Sequence, residues 1–170
     1  MRTRSIPVKK SPPEMDTDQL NVLFRVWLAS RAAMDLVDDA LKSSDLDGDE
    51  FAIYSMVAAA PGITPTDLAQ WMAAPATTVS SFVKRLESRG HTERIANPAD
   101  RRSYGIRLTQ EGKHAHQGAA TLFAPALDQL VVALGVDHTN VRDGLRHLRR
   151  AIDNVRCPNA GDDAPPPSSY

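Results

Sequence analysis

Between residues 77 and 88 the chain interleaves short hydroxyls with long cations: Thr77, Thr78, Ser80, Ser81, Lys84, Arg85 and Ser88. On a helical wheel of about 100° per residue, Thr77, Ser80, Ser81, Lys84 and Ser88 share one side, with Thr78 and Arg85 at its flank. Val79, Phe82, Val83 and Leu86 form an apolar stripe opposite, which must pack on a core. Hydroxyls and cations on the outer face of such a helix are the groups that reach phosphates and base edges in the major groove of a duplex. A second cationic group follows at Arg101 and Arg102, beside Asp100. Two adjacent guanidiniums suit the negative potential of a narrow minor groove, and an ion pair to Asp100 would stiffen the turn that carries them. Seven Lys or Arg (Lys84, Arg85, Arg89, Arg94, Arg101, Arg102, Arg107) stand against three acids (Glu87, Glu93, Asp100) in this stretch, while the whole chain is formally −1. A solvated turn and an ordinary exposed helix face remain the plain alternative for the same residues.

These side chains need elements that hold them outward. In ITPTDLAQWM, Thr64 is placed to N-cap a helix, Pro65 suits its first position, Asp67 completes a capping box, and Ile63 and Leu68 form a hydrophobic staple. That helix is expected to end near Met72, with Ala73 and Ala74 leading through Pro75 into the polar-faced helix. Two short helices so joined make a helix-turn-helix. Gly90 should end the second helix. The apolar period then changes, and Thr92 to Ala96 and Ser103 to Leu108 read as two strands, with Tyr104, Ile106 and Leu108 inward and Ser103, Gly105 and Arg107 outward. The turn between them, Asn97 to Arg102, makes the pair a wing.

Around this centre lie longer helices. From Thr17 to about Leu41, Leu20, Leu23, Phe24, Trp27, Met34, Val37 and Leu41 recur at helical spacing, over a length that suits packing on a second copy of the chain. Thr109 should cap a helix with Leu122, Phe123, Ala126, Leu127, Leu130, Val131 and Leu134 on or near its apolar face. Gly135 breaks it, and a last helix repeats Val141, Leu145, Leu148, Ile152 and Val155 as a narrow seam of the kind used between subunits. Between the first two helices, Asp45, Asp47, Asp49 and Glu50 suggest a calcium loop, but Glu50 stands where that loop needs Gly and Met56 where it needs a bidentate Glu. A solvated loop that caps the next helix, Glu50 to about Ala60, is expected instead. That helix should bury Phe51, Tyr54, Val57 and Ala58.

The 170-residue chain has 42% hydrophobic and 24% charged residues and a single cysteine, Cys157, which excludes an internal disulfide framework and a cysteine zinc site. No apolar run is expected to approach the roughly 20 residues that cross a bilayer, and residues 1–16 lack an apolar signal core, so a cytoplasmic protein without membrane contact is expected. His114 and His116 diverge by about 200° on a helix and do not chelate together. Nucleophile motifs, phosphate-binding glycine loops and metal-ligand spacings are missing, so neither an enzyme nor a cofactor is expected.

TPTDLAQWM, TTVSSFVKRLESRG and NPADRRSYGIRLTQEG together resemble the MarR family of bacterial winged-helix regulators over roughly residues 17–155. The last segment is the most specific: Asp100 and Arg102 match the family's Asp-x-Arg wing, and Leu108, Thr109 and Gly112 its closure. Pro75 and Ala76 depart from the usual hydroxyl cap of the recognition helix, and His91 replaces a large apolar residue after the glycine. The resemblance implies a mainly α fold with a small β wing, a winged helix-turn-helix plus a helical dimerisation region from both termini. The expected organisation is a basic arm over 1–15, dimerisation helices over 16–45 and 112–156, a DNA-binding domain over 46–111 and a tail over 157–170. It further implies double-stranded DNA and a second copy of the chain as partners, and a small aromatic or phenolic effector in a cleft lined by Trp27, Arg31, Phe51, Tyr54 and His114. Core packing explains Trp27, Phe51 and Tyr54 equally well. The family's peroxide-sensing branch uses a cysteine in the first helix, and this chain has none there. The competing readings are a winged-helix scaffold for an acidic protein partner and a constitutive DNA binder without effector.

Overall fold

The computed structural model describes residues 19–96 and 103–156. The elements in order are α1 (Val22–Leu41), α2 (Gly48–Ala59), α3 (Pro65–Met72), α4 (Ala76–Ser88), β1 (Thr92–Ala96), β2 (Tyr104–Leu108), α5 (Gln110–Leu134), a short 3-10 turn (Gly135–Asp137) and α6 (His138–Arg156). The fold is mainly helical with a two-stranded antiparallel sheet, as the resemblance implies. Two compact units divide after Ala126.

The first unit holds the core. Ile53, Tyr54 and Val57 of α2, Leu68 of α3, Val79, Val83 and Leu86 of α4, and Ile106 and Leu108 of β2 are all buried, closed over by Leu41, Leu46 and Ala119. The contributors arrive at helical spacing from three short helices and at alternate positions from β2, so each element turns one face to the same centre. On α2 the expected inward Ala58 is exposed and Ile53 is buried instead, while Phe51 is half-buried. The helix is apolar on nearly all sides, so small residues take the outside.

Helix starts follow side-chain chemistry. Asn21 Oδ1 accepts the N–H groups of Leu23 at 3.0 Å and Phe24 at 3.2 Å, which fixes the start of α1 after Asn21 rather than at Thr17, a residue outside the described ones. Asp47 and Glu50 form a capping box on α2, and Thr64 and Asp67 another on α3. Thr109 Oγ1 accepts the Gly112 N–H at 3.1 Å and donates to the Gly90 carbonyl at 2.7 Å, tying the start of α5 to the end of α4. Pro75 offers α4 no side-chain cap. The turn between α3 and α4 runs through Ala73 in the left-handed region at φ 49°, a conformation that costs a residue with a Cβ roughly 1–2 kcal/mol. Gly90, at φ 70°, closes α4 with paired bonds from Gly90 N to Glu87 O and His91 N to Leu86 O.

β1 and β2 pair in the register Thr92 with Leu108 through Ala96 with Tyr104. β2 is also bonded on its other edge, where Gly62 N donates to Ile106 O and Ile106 N to Ile63 O. This overturns the expected outward placement of Gly105, which is buried against the backbone of Gly62.

In the second unit, Gly135 turns the chain at φ 57° between the end of α5 and α6. No residue of α6 is buried, and Val141, Leu145 and Val155 are 41%, 55% and 82% exposed. The expectation about apolar runs also needs correction. Among the described residues, the stretch 110–156, made of α5, the 3-10 turn and α6, includes an 18-residue window of mean hydropathy 1.7 and is long and apolar enough to cross a membrane by length and composition alone.

Candidate nucleic-acid interface

The outer face of α4 is built as its spacing dictates. Val79, Val83 and Leu86 are buried and Phe82 is half-buried, whereas Thr77, Thr78, Ser80, Ser81 and Lys84 are exposed. Ser81 Oγ donates to the Thr77 carbonyl at 2.9 Å. Thr77, Thr78, Ser80 and Lys84 thus present hydroxyls and an ammonium to solvent from a helix whose back is fixed in the core. Asp100, Arg101 and Arg102 lie outside the described residues, as does the Asn97 to Arg102 turn.

The cations fall into two groups. Four of the seven are held by carboxylates: Arg85 and Arg89 by Glu50, Arg94 by Glu87 at 2.6 Å, and Arg107 by Glu93 at 2.7 Å. Lys84 enters no ion pair among the described residues. Glu50 is the residue that sequence reasoning misplaced. A solvated acidic loop is its expected setting, yet it is 2% exposed. Its third position in α2 turns it inward, where it caps Asp47 and meets α4. The positive surplus counted along residues 77–107 is therefore smaller in space than in sequence, because Glu50 lies outside that window and joins it through the fold.

The Arg94 guanidinium lies 4.2 Å from the centre of the Tyr104 ring and donates through two nitrogens to Glu87, so α4, β1 and β2 are locked together at the base of the wing. That hydrogen bond holds the Glu87 carboxyl below its ordinary range. His91 performs a similar function through its backbone and ring. Its carbonyl accepts the Thr109 N–H at 3.0 Å, and its Nδ1 lies 2.6 Å from the Tyr54 hydroxyl. Burial pushes the Tyr54 phenol up, so it stays neutral in this contact.

The five residues assigned to an effector cleft differ in their settings within the single chain. Trp27 is 59% exposed on α1, Arg31 is exposed, Tyr54 is buried, and His114 faces solvent with its ring beside the Gln110 amide. A pocket of about 530 Å³ lies elsewhere, between the end of α1 and the end of α4, and includes Leu41, Leu46, Glu50, Arg85 and Arg89 but none of the five. His116, two residues on from His114, packs on Phe51. Its ring stacks on Phe51 at 5.4 Å, Phe51 meets Phe123 edge-on at 5.7 Å, and His116 Nε2 lies 3.0 Å from Ser55 Oγ. The signal was present in the sequence, since His116 and Phe123 are seven apart and share a helix face.

Desolvation holds the His116 imidazole below its ordinary value of 6.5. A depressed folded value means that the unfolded chain takes up the proton first as pH falls. Stability should thus be highest above about pH 6.5 and decline as pH falls through that value toward the folded one. Thermal melts across this range should show that loss, and His116→Phe should reduce it; an identical pH profile for the variant would remove His116 as its source.

A polar-faced second helix in a helix-turn-helix, followed directly by a two-stranded hairpin, defines a winged helix-turn-helix protein. The model of the MarR family matches residues 44–103. The HTH-type transcriptional regulator YdcH of Bacillus subtilis (strain 168) is 29% identical over 129 residues, 74% of this chain and 87% of that protein. Among solved structures, the regulator BldR from Sulfolobus solfataricus aligns with a TM-score of 0.68 at 17% identity, over 79% of this chain and 96% of its own. A mutant E. coli MarR complexed with operator DNA aligns at 0.64 with 20% identity, over 82% and 98%, and the S. aureus MepR–DNA complex at 0.63 with 18% identity, over 78% and 99%. The chain is thus similar to the MarR family over residues 44–103 and shares the winged-helix fold of these solved regulators.

Proposed function

We propose that the protein is a cytoplasmic, ligand-responsive repressor that binds a pseudo-palindromic operator as a homodimer. The observation that carries this reading is the exposed face of α4, with Thr77, Thr78, Ser80, Ser81 and Lys84 directed away from a core that fixes the helix. Relatives in this fold are solved with operator DNA and with DNA. In the proposed complex α4 lies in the major groove, and Arg101 and Arg102, braced by Asp100, enter the adjacent minor groove. Half-sites are then about 34–36 Å apart.

The dimer is supported by apolar side chains that stand exposed among the described residues. Val22, Leu23, Phe24 and Trp27 on α1 are each more than half exposed, and α6 buries no residue. Apolar surface of that extent marks a protein contact. A small aromatic or phenolic effector would act by favouring a spacing of the two recognition helices that does not match the half-sites, which shifts the population away from the DNA-competent form.

Genome-wide DNA capture followed by binding titrations on the captured duplex tests the reading. Binding should weaken steeply with salt, and Arg102→Ala should flatten the slope of log affinity against log salt by about 0.9 for each phosphate that is no longer neutralised. Sedimentation should give a dimer. A stable monomer that binds the captured duplex tightly would overturn the dimeric scheme.

A further inference from the structure

We propose that Glu50 is a specificity-determining positioning residue: its buried carboxylate holds Arg85 and Arg89 against α2 and keeps two guanidiniums of the recognition helix out of the set that grips phosphates. The inference rests on the DNA-binding reading above.

The geometry of the cluster is asymmetric. Arg85 Nε lies 2.9 Å and Arg89 Nη1 3.1 Å from the same oxygen, Glu50 Oε1, and Arg89 Nη1 also donates to Oε2 at 3.2 Å. The Glu50 side chain is 3% exposed, whereas those of Arg85 and Arg89 are 45% and 36% exposed. Glu50 is anchored in α2 by its capping box with Asp47, with its N–H donating to Asp47 Oδ1 at 2.7 Å. The carboxylate is thus the fixed member, and the arginines are the members with access to solvent. Arg85 has a second hold as well: its guanidinium lies 4.9 Å from the Phe82 ring centre.

A free arginine on a recognition helix adds affinity for any phosphate backbone, regardless of sequence. Specificity is the ratio between the operator and the many competing sites, so sequence-independent affinity works against it. With Arg85 and Arg89 both held by one buried acid, which offsets one of their two charges and fixes both guanidiniums in place, the outer face of α4 is left with the hydroxyls of Thr77, Thr78 and Ser80 and one unpaired ammonium among the described residues, Lys84. That is a face weighted toward base edges rather than toward charge.

Glu50→Gln tests this directly. Glutamine keeps the size and a capping oxygen at the third helical position, and removes the charge. Wild type and variant are titrated by fluorescence anisotropy against the captured operator and a shuffled duplex of the same composition, over a potassium chloride series. The variant should bind the shuffled duplex about tenfold more tightly at low salt, with a salt slope steeper by about 0.9 for each guanidinium released. Operator affinity should change less, so the specificity ratio falls. Arg85→Gln and Arg89→Gln, with Glu50 intact, should leave the wild-type slope unchanged, and they decide the question even if Glu50→Gln does not fold. The proposal is overturned by an unchanged slope in a folded Glu50→Gln protein. It is equally overturned by a slope reduced by about 0.9 in either arginine variant, because that guanidinium would then contact phosphate in the wild type. Wild-type protein that binds no duplex would instead overturn the DNA-binding reading itself.

Discussion

Leu86→Ala is expected to lower the unfolding free energy by about 2–5 kcal/mol and to abolish DNA binding at temperatures where the wild type is folded. Leu86 is fully buried and is the last buried residue of α4. Its carbonyl accepts the His91 N–H that closes the helix before β1. Truncation strips apolar packing from a core shared by α2, α3, α4 and β2, and leaves a cavity that short, mutually braced elements cannot close by moving one of them alone. A small domain has a net stability of about 5–15 kcal/mol, so this one change removes a large part of it. The same helix carries the polar outer face, so loss of its packing misplaces Thr77, Thr78, Ser80, Ser81 and Lys84 together. Chemical denaturation followed by circular dichroism measures the first effect, and operator binding below the melting range measures the second. A destabilisation below about 1 kcal/mol would mean that α4 is not seated in the core as described.

Where a side chain's role depends on its neighbours in sequence, it was legible from the sequence. The stripe of Val79, Val83 and Leu86, the capping box of Thr64 and Asp67, the terminating Gly90 and the strand at Thr92–Ala96 all follow from local periodicity and cap chemistry, and each is present in the fold. The MarR resemblance, drawn from three short segments, agrees with the family match over residues 44–103. Residues whose role is set by a distant partner were not legible. Glu50 sits among aspartates and looks solvated, and only the packing of α2 on α4 converts it into a buried acid between two arginines. Gly105 alternates outward along β2, and only the second bonded edge at Gly62 and Ile63 turns it inward. His116 rather than His114 joins Phe51 because the choice depends on which face of α5 meets α2. The Asp100 to Arg102 tip carries the most specific part of the resemblance and lies outside the described residues, so its role rests on sequence and on the proposed complex.

Gly105→Ala should be nearly as damaging as the loss of a core leucine, although it adds a single methyl group. The Cβ would strike the Gly62 carbonyl oxygen and lie 2.9 Å from both the carbonyl carbon and Cα of that residue. Every one of those atoms is backbone, so no rotamer change relieves the clash. Gly62 itself is constrained at φ 94° and donates its N–H to Ile106 O, the bond that holds the far edge of β2. The added methyl can be accommodated only if β2 lifts from Gly62 and Ile63, which breaks the two bonds there and withdraws Ile106 from the core. Overpacking of this kind costs about 1–3 kcal/mol where side chains can yield, and the upper end or more is expected where they cannot. Gly118→Ala is the matched control: it lies inside α5 with nothing near the added Cβ, and should be neutral or stabilising by up to about 1 kcal/mol through helix propensity. The denaturation midpoint should therefore fall for Gly105→Ala and hold or rise for Gly118→Ala. A Gly105→Ala protein as stable as the wild type would show that β2 does not lie against Gly62, and the hairpin would then lack its support on that edge.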